Sequence, residues 1–516
     1  MIDAAASLWE LIERRAAATP DALLGIDEDD RALTFGEYRA AAERAAGGLA
    51  ELGVGEGTPV SWQLPTWFES MVLVGALARL GAVQNPILPI YREREVGFVT
   101  HQTGAELLVV PSLWKGFDFE GMARGIADQQ PGLSVLVLDR KLPEGDVTTL
   151  PPFRDVTDDA GAPVRWAFYT SGTTADPKGA RHTDRTIMAS AYAMTTVLEV
   201  DERDRSALVF PFTHIGGIGW LFAAMMTGCE AIIIEAFDPA TAIPVMARGG
   251  VTLPGAGTPF HMAYLAAQRA DPDTMLFPDA RAFPGGGAPK PPQLHYDVKR
   301  ELGGVGIVSG YGLTECPILA MNTVRDSDDH LANTEGSPTP GVEVRIVTLD
   351  GQVAGPDEEG EIRAKGPMLF RGYLDSSLDA AAFDDDGFFR TGDLGTQDAE
   401  GFLTITGRLK DVIIRKGENI SAKELEDLLF TSPAVADVAV VGVPDPEAGE
   451  RACAVLVPAD ATAPPTLDDL AEFCVDAGLM RQKIPEQLEI VDALPRNATG
   501  KVLKHELRKR YSDAKR

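Results

Sequence analysis

From Thr34 to Pro111 the chain alternates at a steady rhythm between helical patterns and short apolar runs. "TFGEYRAAAERAAGGLAELGV" is predicted helical, with Gly53 as its stop signal. "TPVSWQL" is a short strand, "WFESMVLVGALARLGAV" a helix, and "QNPILPI" a strand and turn. "REREVGFVTHQTG" is again helical and "AELLVVP" a strand. Strand, helix, strand at this rhythm implies βαβ units and a mainly parallel sheet. "SALVFPF" and "EAIIIEAF" extend the pattern further along the chain.

The pattern changes after about residue 335. "GVEVRIVTLDGQVAGPDEEGEIRAKG" alternates in strand fashion around Asp-Gly, the mark of antiparallel hairpins, and "DDDGFFRTGDLGTQDAEGFLTITGRLKD" is of the same kind. "AKELEDLLFTSPAVADVAVVGVPD", "RACAVLVPAD", "LDDLAEFCVDAGL" and "QLEIVDALP" then read as helix, strand, strand, helix, strand. The 516 residues are too many for one compact core. The expected fold class is α/β. A large N-terminal domain, 1–409, has mainly parallel α/β sheets and a small β-barrel-like antiparallel subdomain at about 335–407. A small mobile α+β C-terminal domain follows at 410–516, with the boundary near "GRLKD".

Lys+Arg 47 against Asp+Glu 77 leaves a net charge of −30. Such a surface repels nucleic acid and anionic lipid, so an anionic ligand must be captured by local cations or backbone N–H groups. The four cysteines are scattered, with no CxxC pair, which suits reduced thiols in a cytoplasmic protein. The N-terminal "MIDAAASLWELIERRAAATPD" reads as an amphipathic helix, not a signal peptide. The most apolar long stretch, "MVLVGALARLGAV", is short and carries Arg79, so no transmembrane segment is expected.

Within this acidic chain, "YTSGTTADPKG" (residues 169–179) is loaded with hydroxyls and has one carboxylate. Hydroxyls and backbone N–H groups of a Gly-rich turn can wrap phosphate oxygens, and Lys178 adds a point charge. The segment is not a Walker A loop. Taken alone, it is open between a phosphate loop and a surface turn.

The segment resembles the signature loop of the adenylate-forming superfamily, which includes acyl-CoA synthetases, luciferases and peptide-synthetase adenylation domains. "GYGLTE" (310–315), "FFRTGD" (388–393), "GRLKDVIIRKGENI" (407–420) and "PRNATGK" (495–501) follow in the order of that family. The chain is thus identified as a member of the acyl-CoA synthetase type, resembling ligases for fatty acids or cyclohexanecarboxylate. One position departs from the family pattern: Ala175 stands where glycine is usual.

The resemblance implies two half-reactions. A carboxylic acid attacks ATP to give acyl-AMP and pyrophosphate, and the thiol of coenzyme A then displaces AMP. By the same resemblance Thr170, Ser171, Gly172, Thr173, Thr174 and Lys178 hold the outer phosphates. Glu315 holds Mg²⁺, and Thr314 contacts the α-phosphate. Tyr311 stacks on adenine beside Gly312. Gly287, Ala288 and Pro289 of "GGGAP" bring backbone to the adenine and the acyl carboxyl. Asp393 and Arg408 bind the ribose. Lys501 is expected to bridge the acyl carboxylate and the α-phosphate, and Lys410 to be the hinge of a rotating C-terminal domain. Rotation would bring Arg415, Lys416, Gly417 and Glu418 to the coenzyme A site.

The expected acyl pocket includes His214, Ile215, Gly216, Trp220, Phe260, Ser309, Cys316 and Pro317. These are mostly apolar or small residues that suit a hydrophobic, medium-chain or alicyclic acid. His214 also counts among the catalytic candidates. No aspartate accompanies Thr213 and His214 to pair with an α-ammonium, which disfavours amino-acid substrates. A carrier-protein thiol in place of coenzyme A, and a catalytically silent nucleotide-binding interaction protein, remain as alternatives. A homodimer is one open arrangement, and "PRNATGK" makes Lys501 a candidate for a lysine acetylase and deacetylase.

Overall fold

The computed structural model describes residues 1–2, 5–153, 161–170, 177–287, 290–415, 418–446, 448–496 and 500–512. The strand–helix rhythm builds a six-stranded sheet in the order Lys178–His182, Trp166–Thr170, Val83–Pro86, Pro59–Trp62, Leu107–Val110, Ser134–Val137. Its first pair is antiparallel and the other pairs are parallel. A second sheet runs Arg205–Leu208, Glu230–Ile233, Leu23–Asp27, Ala32–Thr34, with only the last strand antiparallel.

Local signals set the crossover helices. Thr34 and Glu37 form a reciprocal capping box at the start of Phe35–Glu51 (3.1 and 2.9 Å). Phe68–Leu80 ends at Gly81 in the left-handed conformation (φ 70°) and is almost wholly buried. The largest core joins these helices to the sheet through Trp62, Trp166, Leu73 and Phe222.

Two further sheets carry the site. Phe283–Gly286 lies parallel to Ile307–Leu313, which turns back into Cys316–Met321 and then Ser337–Pro338. The glycines of "GGG" serve close packing: a Cβ on Gly286 would lie 2.8 Å from the Gly310 carbonyl oxygen. The change of pattern after residue 335 is a four-stranded antiparallel sheet, Glu343–Val347, Gly360–Lys365, Phe389–Gln397, Leu403–Arg408. Its last rung sets Asp393 opposite Arg408.

After a single 3-10 turn, Leu409–Asp411, the chain builds a separate five-stranded sheet from residues 413–490. Period-2 alternation along Val435–Asp445 puts Val438 and Val440 in one core and Ala439, Val441 and Val443 in another. The helices Ala422–Phe430 and Leu467–Asp476 cover the first face, and Lys504–Tyr511 covers the second. This unit touches the rest through Ser421, whose hydroxyl donates to the Thr406 carbonyl (2.5 Å). It also touches through Gly500, where an added Cβ would lie 2.6 Å from Pro259 Cγ.

The basic C-terminal segment is helical only from Lys504. Gly500 has a positive φ (83°), and Arg496 bridges Val502 in antiparallel fashion, so Lys501 lies ahead of the helix and beside that bridge. Among the described residues, no helix is long and apolar enough to cross a membrane.

Close packing at the "GYGLTE" turn yields a stability test. A Cβ on Gly312 would collide with the backbone nitrogen of Ile318, and Pro317 and Cys316 backbone atoms lie behind it. Gly312→Ala is expected to destabilise the large unit by about 1–3 kcal/mol, the usual cost of overpacking. Calorimetry should show the large unit's transition shifted down and the C-terminal unit's transition unmoved.

Candidate active site

A cavity of about 630 Å³ opens between the last antiparallel sheet and the C-terminal unit. Gly287, Gly310, Tyr311, Gly312, Asp393 and Arg408 line it from one side, and Lys410 and Lys501 from the other. Sequence reasoning placed these residues in one site, and the structure brings them together.

Asp393 is the polar anchor of the cavity and is only 3% exposed. Tyr311 donates its hydroxyl to Asp393 Oδ2 (2.8 Å). Arg408 Nε pairs with Oδ1 at 2.6 Å, and among the described residues no further donor reaches that buried oxygen. A buried carboxylate oxygen in that state suits a ligand hydroxyl. Expected to stack on adenine, Tyr311 has its phenol committed to Asp393, and burial drives its pKa well up.

A second group gathers at the turn after Ile307–Leu313. Glu315 is 7% exposed, and its Oε1 accepts the Tyr373 hydroxyl (2.7 Å). Burial raises its pKa, while Tyr373 and the Lys178 charge oppose the rise. Lys178 lies over the Tyr373 ring, 5.3 Å from its centroid. Thr170 and Lys178 face each other across the strand pair that brackets the phosphate-loop sequence. His182, fully buried, links the two segments: Nδ1 meets Thr186 Oγ1 at 2.9 Å and Nε2 meets the Thr314 carbonyl at 2.8 Å. Burial pushes the His182 pKa down to about 4. The ring is therefore neutral at pH 7, with one nitrogen donating to the Thr314 carbonyl.

Ser171, Gly172, Thr173, Thr174, Ala288, Pro289, Lys416 and Gly417 lie outside the described residues. Glu418 pairs with Arg415 in the backbone register of a short hairpin. The Arg415 guanidinium, assigned from sequence to coenzyme A phosphates, forms a two-bond ion pair with Glu486 (both 2.7 Å) inside the C-terminal unit.

Lys501 lines the cavity next to Val502, the bridge partner of Arg496. Arg496 donates to the Gly500 carbonyl (2.6 Å) and to Asp437 (2.7 Å). Burial and then the nearby Arg408 charge push the Lys501 pKa down to about 8, with Asp393 opposing them.

The structure does not gather the eight acyl-pocket residues into one cavity. His214, Ile215 and Thr314 share a void of about 20 Å³ with Tyr91, Tyr169 and Thr213, room for about one water. His214 caps the helix Ile215–Thr227, its Nδ1 accepting from Gly216 N (3.1 Å), and burial lowers its pKa to about 4. Trp220 lies further along that helix, half-buried. Phe260 packs edge-on against Phe237 (4.8 Å) in the second core. Ser309 and Pro317 are buried in strands. Cys316 packs with Ala193, Ile346 and Ile362 beneath the antiparallel sheet, because it starts a strand whose neighbours face that core.

Three positioning groups went unread in the sequence: Tyr373, Arg496 and Lys290. Lys290, directly after "GGGAP", is buried and donates to the Leu331 and Ala332 carbonyls (both 2.6 Å) at the end of helix Asp328–Asn333. The only signal at Lys290 is adjacency to a recognised motif, and at Arg496 its place inside one. Tyr373 has no such signal, being 58 residues from Glu315.

Residues 12–374 match the family model "AMP-binding enzyme" and residues 424–501 match "AMP-binding enzyme C-terminal domain". The chain is 30% identical over 520 residues to the medium-chain fatty-acid–CoA ligase of Escherichia coli K12, covering 98% of this chain and 90% of that one. It is 33% identical over 519 residues to the salicyl-AMP ligase / salicyl-S-ArCP synthetase of Mycobacterium tuberculosis, covering 96% and 89%. Among solved structures, ATP-bound MatB from Rhodopseudomonas palustris superposes with a TM-score of 0.87 at 26% identity, covering 98% of this chain and 99% of that one. O-succinylbenzoate coenzyme A synthetase (MenE) from Bacillus subtilis, in complex with ATP and magnesium ion, gives 0.83 at 29% identity, covering 96% and 98%. With both family models matched in order and near full-length relatives, the chain belongs to the adenylate-forming AMP-binding enzymes and is an acid–thiol ligase of the acyl-CoA synthetase type.

Proposed function

We propose that this enzyme joins a hydrophobic carboxylic acid, medium-chain or alicyclic, to coenzyme A through an acyl adenylate. The observation that carries the reading is Lys501 of the C-terminal unit, which lines one cavity with the Asp393–Arg408 pair of the other unit. In the first half-reaction a carboxylate oxygen attacks the α-phosphorus of ATP, and the bond to the bridging oxygen breaks to release pyrophosphate. Two anions must meet, so positive charge is needed where the new bond forms. Lys501 supplies it. Lys178, with Thr170, Ser171, Gly172, Thr173 and Thr174, holds the departing phosphates. Asp393 accepts from the ribose hydroxyls, and Arg408 holds Asp393 in place. Tyr311, Gly312, Gly287, Ala288 and Pro289 surround the base.

Among the described residues, no three His, Cys, Asp or Glu side chains converge on a metal site. The single buried carboxylate of Glu315 still fits Mg²⁺, which is commonly held by one or two carboxylates plus substrate phosphates. Bound there, the ion would offset phosphate charge. Glu315 would hold it, and Thr314 would orient the α-phosphate. In the second half-reaction the coenzyme A sulfur attacks the acyl carbonyl, the thiol gives up its proton, and AMP leaves. Lys501 is not needed there. Rotation of unit 410–516 about Lys410 would exchange it for Arg415, Lys416, Gly417 and Glu418, and this requires Arg415 to leave Glu486. In this reading His214 and Ile215 border the place where acyl group and thiol meet, which requires the small void beside them to open.

A carrier-protein thiol as acceptor is the second reading, favoured by the 33% identity to a salicyl-AMP ligase. Acetylation of Lys501 would remove its charge and stop the first half-reaction. A cytoplasmic location fits all of these substrates.

Pyrophosphate release over a panel of acids, with and without coenzyme A, tests the reading. Release coupled to coenzyme A consumption, strongest with medium-chain or alicyclic acids, is expected. Release with no coenzyme A consumed would favour the carrier protein, and no release with any acid would end both readings.

The Lys501 pKa of about 8 gives a pH test. The amine is charged below that value and loses its charge above it. Adenylation is therefore expected to fall by about tenfold per pH unit beyond 8, a limb absent in Lys501→Arg. A flat profile to pH 10 would contradict the assignment. Asp393→Ala, which removes charged hydrogen-bond acceptors for the ribose, should weaken ATP binding by about 10–100-fold in calorimetry. Unchanged affinity would exclude it from the nucleotide site.

A further inference from the structure

We propose that Tyr373 is a positioning residue for adenylation, fixing the Glu315 carboxylate and the Lys178 ammonium relative to one another. The inference rests on the reading of Glu315 as the Mg²⁺ carboxylate and goes beyond it in assigning what aims that carboxylate.

Tyr373 is 3% exposed and touches both groups. Its hydroxyl donates to Glu315 Oε1 (2.7 Å), and its ring lies under Lys178 Nζ (5.3 Å). Lys178 belongs to a strand of the six-stranded sheet and Glu315 to a turn between two strands of another, 137 positions apart in sequence (315 − 178), and no hydrogen bond or ion pair joins them among those described. One aromatic ring is the element common to both.

The backbone around Tyr373 explains how the ring is held. Residues 370–374 are strapped along strand Lys178–His182 as an added antiparallel run. Arg371 N donates to the Arg181 carbonyl (2.7 Å), Arg181 N to Gly372 (3.1 Å) and Leu374 N to Gly179 (2.8 Å). Ala180 and Tyr373 are bridge partners in this run. At its start Phe370 N donates to the Glu315 carbonyl (2.8 Å), so the strap is tied to the Glu315 turn as well. Phe370 then packs edge-on against the Tyr373 ring (4.8 Å).

A buried tyrosine usually needs only some acceptor for its hydroxyl, and a backbone carbonyl would serve. Here the acceptor is a buried carboxylate, and the hydrogen bond pins one of its two oxygens. A hydrogen bond on Oε1 restricts the side-chain torsions and so narrows the directions open to Oε2. The cation–π contact restricts a long, flexible lysine stem in the same way. Both groups would otherwise lose rotamer freedom at the moment of nucleotide binding. The strap therefore prearranges a metal-holding carboxylate and a phosphate-holding cation around one ligand.

Tyr373→Phe and Tyr373→Leu, in the full chain, separate the two contacts. ATP binding without acid, measured by calorimetry over a range of Mg²⁺ concentrations, reads the metal dependence apart from turnover. Tyr373→Phe keeps the ring under Lys178, so ATP affinity without Mg²⁺ should match the parent. The Mg²⁺ concentration giving half its effect should rise about tenfold, the loss of one charged hydrogen bond. Tyr373→Leu should in addition weaken ATP binding without Mg²⁺. Both variants should lose acyl-adenylate formation far more than thioester formation from synthetic acyl adenylate. The proposal is overturned if Tyr373→Phe titrates with Mg²⁺ like the parent, or if both half-reactions drop equally in a chain with parental melting. Glu315→Gln is the control. If it keeps the parental Mg²⁺ dependence, the metal assignment itself fails, and the proposal with it.

Discussion

Taking a carboxylate out of water is costly unless opposite charge and hydrogen-bond donors are taken out with it. Asp393 is paired with Arg408, the residue facing it across the last rung of an antiparallel sheet. The pair stands where three parts of the molecule converge. Tyr311 comes from the neighbouring sheet to donate to the same carboxylate. Directly after Arg408 the chain makes the 3-10 turn that leads into the C-terminal unit. Lys501, near the end of that unit, lines the same cavity. One ion pair thus fixes a binding carboxylate, the exit to the second unit and the point to which that unit must bring its lysine.

The same pair sets the electrostatics. In a chain of net charge −30, cations near the cavity are mostly held by acids of their own unit. Lys504 pairs with Glu426 (2.7 Å), Arg508 with Asp411 (2.5 Å), Arg496 with Asp437 (2.7 Å) and Lys483 with Glu424 (2.6 Å). Lys501 is buried within the field of Arg408, with Asp393 opposing, and its pKa comes to about 8. Such a lysine is still mainly charged at pH 7 and is poised to gain from a nearby anion. An arriving triphosphate and carboxylate would supply that anion and draw the two units together.

Much of this was legible in the sequence. Period-2 and period-3.6 patterning gave the sheets and helices, because burial on one face imposes that spacing whatever the tertiary partners. The motif order located Asp393, Arg408, Glu315 and Lys501, which the structure gathers from distant positions into the cavity and the turn beside it. Contacts that depend on tertiary register were not legible. Tyr373 meets Glu315 only because residues 370–374 add to a strand nearly 200 positions earlier. The Arg415–Glu486 pair needs two segments of the C-terminal sheet to align. The acyl pocket fared worst, since apolar residues near a motif look alike whether they face a substrate or a core, as Cys316 and Phe260 illustrate.

The central claim is that Lys501 serves bond formation at phosphorus and nothing later. Single-turnover kinetics of Lys501→Ala test it most directly, with each half-reaction started separately: acid plus ATP, then synthetic acyl adenylate plus coenzyme A. The account predicts that formation of acyl adenylate falls by at least about 100-fold, the scale of one displaced transition-state charge, while thioester formation proceeds at the parental rate. Equal losses in both half-reactions would contradict it.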